Sequence, residues 1–218
     1  PARLLTGLMR KKNDMNSDKA AQKKQDILAA AFEVFAANGY HATRIADIAE
    51  KLQMGHGTFY RYFKNKLDIF SAVVDNVFAE LITAIADEPP TLADDLEAYR
   101  RQIRRLGEKM FRVFFRDKRI AKIMFYEIIG VHPEINDKFE EVLEYFDAYT
   151  EQYFLNGINK GFLKKEMDTR MIAHAVNSLI FASARDVVIS DDPEQTVARW
   201  IDTIVLMMLD GMAQPGVN

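Results

Sequence analysis

Cysteine is absent from the 218 residues, which excludes disulfides, thiolate zinc sites and a cysteine nucleophile and permits a reducing compartment. Long apolar runs are missing too, since none approaches the roughly 18 residues that a bilayer-spanning helix needs. Residues 1–24 have neither the apolar centre nor the cleavage site of a signal peptide. A cytoplasmic protein with no membrane partner is the expectation. Histidine is scarce: His41, His56, His132 and His174 stand far apart, and none belongs to an HExxH or Glu-x-x-His pair. No metal site, cofactor or nucleophile–base constellation is expected, so the chain reads as a non-enzyme. Strands with period-two alternation and internal repeats are lacking as well.

With 49% apolar and 28% charged residues, the chain can bury one large core or two smaller ones and remain soluble. Its net charge of −3 hides an asymmetry, because residues 1–70 hold 12 Lys and Arg against 7 Asp and Glu, leaving −8 for residues 71–218. Surface fields fade over a Debye length of about 8 Å at physiological salt, so an anionic polymer at the N-terminal part meets mainly basic protein.

Helical patterning fills the rest. Residues 1–22 are polar and unpatterned and read as a flexible arm. Residues 23–38 carry Ile27, Leu28, Ala31, Phe32, Val34 and Phe35 as a wide apolar stripe, which Gly39 ends. Thr43 caps a short helix with Ile45, Ile48, Ala49 and Leu52 on one side, residues 53–55 make a tight connection, and a second short helix runs over 56–63. Two short helices about a Gly-containing turn describe a helix-turn-helix, whose second helix enters the DNA major groove. Asn65 caps a long helix to about residue 86, where Pro89 and Pro90 forbid continuation. Thr91 or Asp94 opens a helix to about Arg116, residues 117–129 form another, and His132 with Pro133 starts a long one that Gly161 stops. Asp168 caps the next, to about Ile189, and Asp192-Pro193-Glu194 begins the last. The fold class is all-α with about nine helices. The basic run from Arg100 to Lys122 reads as a solvated face laced with ion pairs.

The last helix is apolar nearly all round, with Trp200, Ile201, Ile204, Val205, Met208 and Met212 among its residues. The helix before it offers Ala175, Leu179 and Ala182, and the small residues there allow close approach. A two-fold four-helix bundle built from these two helices of each subunit would cover both, so these nine residues are the expected homodimer interface.

In the stretch AAAFEVFAANGYHATRIADIAEKLQMGHGTFYRYFKNKLDIF, the first-helix apolar pattern, the Gly-aromatic turn, the capping Thr, the Ile-Ala pair and the G-T-F-Y-R-Y-F recognition segment followed by K-N-K resemble the TetR family of bacterial one-component regulators. The resemblance covers the first 70 residues; beyond them it extends only to helix number and the character of the last pair. It implies a flexible arm at 1–22, a helix-turn-helix DNA-binding domain at 23–68 and an effector-binding and dimerisation domain at 69–218. It also implies double-stranded DNA with a palindromic operator as partner.

Site roles follow from the same resemblance. Thr43, Tyr60 and Lys66 are expected on phosphates, Thr58 and Tyr62 near bases, and Gly57 allows close approach. Arg44, Gly55, His56 and Arg61 complete the expected DNA set, with Arg61 reaching either a guanine or solvent. Gly55 stands where relatives often carry a capping Ser, and His56 where Lys or Pro is frequent. For residues 69–218 the family implies a small effector, and the supply of aromatic residues suits a hydrophobic or amphipathic one. Its expected walls are Phe111, Phe115, Met124, Phe146 and Phe181, with Tyr126, Glu127, His174 and Asn177 as orienting polar groups. A DNA-binding architectural or division-control protein of the same fold, without an effector, is the alternative.

Overall fold

Local punctuation sets the helix ends. The structure, a computed structural model, describes residues 2–212, and the side chains of residues 2–17, Phe115, Phe125 and 210–212 are outside the description. The expected roles of Phe115 in a pocket and Met212 in an interface therefore lie outside the described residues. Nine α-helices are present among the described residues, with no strand. They are α1 (Ala2–Asn38), α2 (Ile45–Lys51), α3 (His56–Phe59), α4 (Lys66–Ile85), α5 (Leu96–Arg116), α6 (Lys118–Lys122), α7 (Pro133–Asn159), α8 (Thr169–Ile189) and α9 (Pro193–Met212).

Several ends differ from expectation, each for a local reason. Helix α1 begins at Ala2, so helical backbone covers the segment expected as an arm; Ala, Leu, Lys, Gln, Arg and Met dominate there and all favour helix. No residue from Asp18 to Asp26 is buried, and burial begins at Ile27, which explains why no apolar stripe marked the segment. Helix α3 closes at Phe59 rather than at Phe63, because the chain tightens into turns in which Arg61 N–H donates to Thr58 and Tyr62 N–H to Phe59. Asp95, not Thr91 or Asp94, caps α5, its Oδ1 accepting from Ala98 N–H at 2.7 Å. After α6 the helix widens into a π turn over Ile123–Glu127, with Ile128 N–H reaching back to the Ile123 carbonyl at 3.0 Å.

The chain divides into two compact units, Pro1–Asn76 and Val77–Asn218, and α4 runs through the boundary as one continuous helix. In the first unit, Ile27, Ala31 and Phe35 of α1 form a core with Ile48, Phe59, Ile69 and Phe70. The Phe35 and Phe70 rings meet edge-on at 4.9 Å, and Tyr40 packs on Phe70 at 4.8 Å. Each such ring contributes about 1.5–3 kcal/mol by leaving water. In the second unit, α7 lies along α8, and α9 packs on both α5 and α8. Gly107 permits the α5–α9 approach, since a Cβ there would stand 3.0 Å from Ile201 Cγ1. Gly157 is tighter still: a Cβ would meet Leu163 Cδ1 at 2.5 Å, and Leu163 is fully buried.

The basic run is paired, through neighbouring spacing at Glu97 and otherwise chiefly with acids 17 or more residues away. Arg100 and Arg101 face Glu97, Arg104 faces Asp202, Arg105 and Lys109 face Glu88, and Arg116 faces Glu80.

The expected dimer residues separate into two sets. Ile201, Ile204, Val205 and Met208 are buried within their own unit, so they are removed from the interface by the inward turn of that face of α9 toward α5 and α8. Ala175 and Ala182 are exposed on α8, and Leu179 and Trp200 are half-buried. The outward apolar groups are Met171, Ala175, Ala182 and Ile189 on α8 and Leu206 and Met207 on α9. Helix α8 has the length and apolar content that could cross a membrane, against the expectation that no segment did. Here it is the helix that α7 and α9 both pack against.

Candidate nucleic-acid interface and internal cavity

Turn chemistry fixes the helix-turn-helix. Gly39 ends α1 at a φ of 79°, its N–H donating to the Phe35 carbonyl at 2.8 Å. Arg44 is the residue before α2, and its N–H donates to Asp47 Oδ2 at 2.8 Å. The turn to α3 passes through Gln53 at a φ of 50°, a left-handed position that strains a non-glycine residue by about 1 kcal/mol or more. Gln53 and Met54 close α2 by donating to the Glu50 and Ala49 carbonyls. Gly55 precedes α3 without a side-chain cap, so the first amide groups of the recognition segment face solvent unpaired by any side chain.

The outward surface is formed by Arg44, Gly55, His56, Gly57, Tyr60 and Arg61, with Thr58 and Tyr62 half-buried beside them. Tyr60 is 55% exposed and rests edge-on against Phe59. Arg44 holds Asp47 at 3.0 Å, and this guanidinium keeps the Asp47 carboxyl below the usual carboxylate range. Lys64, which the sequence reading passed over, is exposed next to these residues.

Thr43 and Lys66 occupy different places from those expected. Thr43 is 1% exposed and its hydroxyl donates to the Gly39 carbonyl at 2.7 Å, so its side chain presents nothing to a phosphate. The Lys66 ammonium donates to the carbonyls of Tyr40, His41 and Thr43 at 2.9, 3.3 and 3.0 Å. It also lies 4.4 Å from the Tyr40 ring centroid. An ammonium has three protons, and three carbonyls take them. Lys66 fastens the start of α4 to the turn before α2.

This assignment has a measurable consequence. Lys64→Ala, which removes an exposed cation beside the recognition segment, should reduce the magnitude of the slope of log K against log salt by about 0.9, as loss of one neutralised phosphate does. Lys66→Met should lower the stability of the first unit while leaving that slope nearly unchanged. Equal slope losses in the two variants would return Lys66 to the phosphates.

The second unit encloses a cavity of about 80 Å³ among α5, α7, α8, α9 and Ile85, the last residue of α4. Of the expected walls, Phe111, Phe146 and Asn177 line it; Met124 is buried elsewhere, Tyr126 is 55% exposed, and Glu127 is half-buried away from it. Phe181 stands behind Phe146, edge-on at 6.4 Å. His174 is not a wall either: its Nδ1 lies 2.7 Å from Asp147 Oδ2, and Asn177 Nδ2 donates to the other oxygen at 2.7 Å. Sequence reasoning missed Gly107, Tyr99, Tyr153 and the buried face of α9. Among the described residues, none that lines it is charged. Tyr99 buries its hydroxyl without a hydrogen-bond partner among the described residues, and burial pushes its pKa far upward. Among the described residues, no three His, Asp or Glu side chains converge as a metal would require.

The loop after α4 is held from this side. The Tyr153 hydroxyl donates to the Glu88 carbonyl at 2.5 Å, Gln102 to Pro89, Asn156 to Ala93, and Lys160 to Thr91 and Ala93. The Glu88 carboxylate, 4% exposed, takes both arms of Arg105 at 2.6 and 2.9 Å and Lys109 at 3.1 Å. The Arg105 guanidinium above all holds that carboxyl below its ordinary range.

Residues 27–73 match the family model described as bacterial regulatory proteins, tetR family. The fatty acid metabolism regulator protein of Bacillus subtilis is 27% identical over 176 residues, spanning 81% of this chain and 89% of its own length. The dhaKLM operon transcriptional activator DhaS of Lactococcus lactis is 38% identical over 64 residues, 29% of this chain and 34% of that protein. The crystal structure of FadR from Bacillus subtilis in complex with stearoyl-CoA superposes with a TM-score of 0.74 at 24% identity, covering 86% of this chain and 98% of that one. The structural likeness is one of fold.

Proposed function

We propose that this chain is a DNA-binding transcriptional regulator of the TetR family, a cytoplasmic repressor released from a palindromic operator by an acyl thioester. The observation that carries the reading is the uncharged cavity with Ile85 of α4 in its wall. An apolar chain gains about 0.8 kcal/mol per methylene on entering such a lining. A free carboxylate buried there would find no cation, at a cost of several kcal/mol. A thioester carbonyl is neutral and leaves its charged carrier in water. The Bacillus subtilis FadR complex with stearoyl-CoA supports this class of effector. At about 80 Å³ the cavity has room for a short part of such a chain, since one water occupies about 10–15 Å³ on this measure. Met110 and Met208 in the lining are flexible enough to yield to the rest.

The exposed apolar groups of α8 and α9 are the surface we assign to the homodimer, which sets two recognition segments over one palindrome. The effector acts by favouring a different setting of α4.

The test uses a duplex that the full chain selects from a random DNA library. Stearoyl-CoA, dodecanoyl-CoA, dodecanoic acid and CoA alone are titrated against the complex by fluorescence anisotropy. An acyl-CoA should weaken DNA binding about tenfold or more, and the acid and bare CoA far less. Absence of any effect from the acyl-CoAs would sink the effector reading and favour an architectural protein.

A further inference from the structure

The ring of Tyr153 lines the cavity, while its hydroxyl, at the far end of the same side chain, holds the backbone directly beyond α4. Among the described residues, no other side chain that fixes a carbonyl of the 86–95 loop lines the cavity: Gln102, Asn156 and Lys160 stand outside it. Tyr153 is 5% exposed and meets Tyr149, another wall residue, edge-on at 5.6 Å, so a ligand that displaces this part of the wall displaces its ring. The carbonyl it holds belongs to Glu88, whose own N–H closes the last turn of α4 by donating to Ile85. Ile85 is itself a wall residue.

We infer that Tyr153 is the coupling residue of this regulator: an effector that shifts its ring withdraws the hydroxyl from the Glu88 carbonyl and frees the end of α4. The inference rests on the proposed acyl-thioester reading. The other loop anchors set where the loop sits; Tyr153 reports whether the cavity is filled. A ligand can move an equilibrium only through contacts that differ between two states, and the Tyr153–Glu88 bond is a contact that differs. By linkage, DNA must weaken the effector as much as the effector weakens DNA.

The experiment compares full-length wild type, Tyr153→Phe and Lys160→Met. For each, DNA affinity is measured with and without saturating dodecanoyl-CoA, and dodecanoyl-CoA affinity with and without DNA. Tyr153→Phe keeps the ring in the wall and removes the hydroxyl, with its bond to the Glu88 carbonyl and its contact with Tyr149. It should bind DNA alone about tenfold more weakly than wild type, near the wild-type value with effector bound, so that the ratio between the two DNA affinities falls from about tenfold to about twofold or less. Lys160→Met also loosens the loop, but its ratio should stay at the wild-type value. Equal loss of the ratio in both variants, or loss in neither, overturns the inference. A wild-type protein whose DNA affinity ignores every acyl-CoA overturns the proposed function and this inference together. If Tyr153→Phe does not fold, hydrogen exchange in wild type decides: dodecanoyl-CoA should speed exchange at the Ala86 and Glu88 amides, and unchanged protection there refutes the mechanism.

Discussion

Phe59→Ala is expected to abolish DNA binding at 25 °C, with at least a hundredfold loss of affinity, although Phe59 touches no DNA in the proposed complex. Helix α3 has four residues, far short of the roughly 12 to 15 at which an isolated helix becomes even marginal in water. Its position is held by the ring of Phe59, which is fully buried and packs on Phe63 at 5.9 Å. Truncating a buried phenylalanine costs about 3–5 kcal/mol, a large part of the 5–15 kcal/mol that typically separates folded from unfolded domains. Denaturation in urea should show the loss in the first unit alone. Trp200, the single tryptophan, lies in the second unit, so the fluorescence transition should stay while the circular dichroism transition gains an early step. A variant that keeps its DNA affinity within threefold would show that the recognition segment is held by something other than this ring.

The double substitution Leu206→Glu with Met207→Glu should give folded monomers. These side chains are 56% and 57% exposed, so two carboxylates per subunit cost the isolated chain little. At a two-fold interface they would set four like charges against an apolar surface. Loss of the second DNA-binding unit removes the avidity term, and DNA affinity should drop about 10²- to 10⁴-fold. Sedimentation velocity reads the mass, and circular dichroism checks that the helices remain. Ile204→Glu, which the sequence pattern would have ranked as the same kind of change, should unfold the second unit instead, because Ile204 is 6% exposed and lines the cavity. Dimers that persist in the double variant would place the interface elsewhere.

The contrast between Ile204 and Leu206 shows how far sequence reasoning reaches. Helix ends are legible where one signal within four residues sets them, as with Asn65 accepting from Asp68 N–H, Asp168 from Met171 and Gly39 closing on Phe35, and not where neighbours compete for the role, as Thr43 with Arg44 and Asp94 with Asp95. The helix-turn-helix is assembled mostly from such signals, so its existence could be read off directly. The partners of Lys66 lie 23 to 26 residues away, and nothing local says that its protons are taken. Helix α9 is apolar on every side, so its own sequence cannot say which side faces inward. That choice is made by Gly107, 94 positions before Ile201, which lets α9 settle against α5 on that face. The cavity follows from the same choice and could not be drawn from a stock of large aromatic residues. The start of α1 was missed because propensity without a buried stripe leaves no periodic mark.

The loop between α4 and α5 is gripped at its backbone carbonyls by Tyr153, Gln102, Asn156 and Lys160, and at the carboxylates of Asp87, Glu88 and Asp94. A carbonyl is the same whatever residue bears it. Over evolutionary time the positions from Pro89 to Leu92 are therefore free to vary while the grip persists, and selection falls on the helices that do the gripping. A lineage could rewrite that surface, gaining or shedding contacts with other macromolecules, and keep its response to the effector.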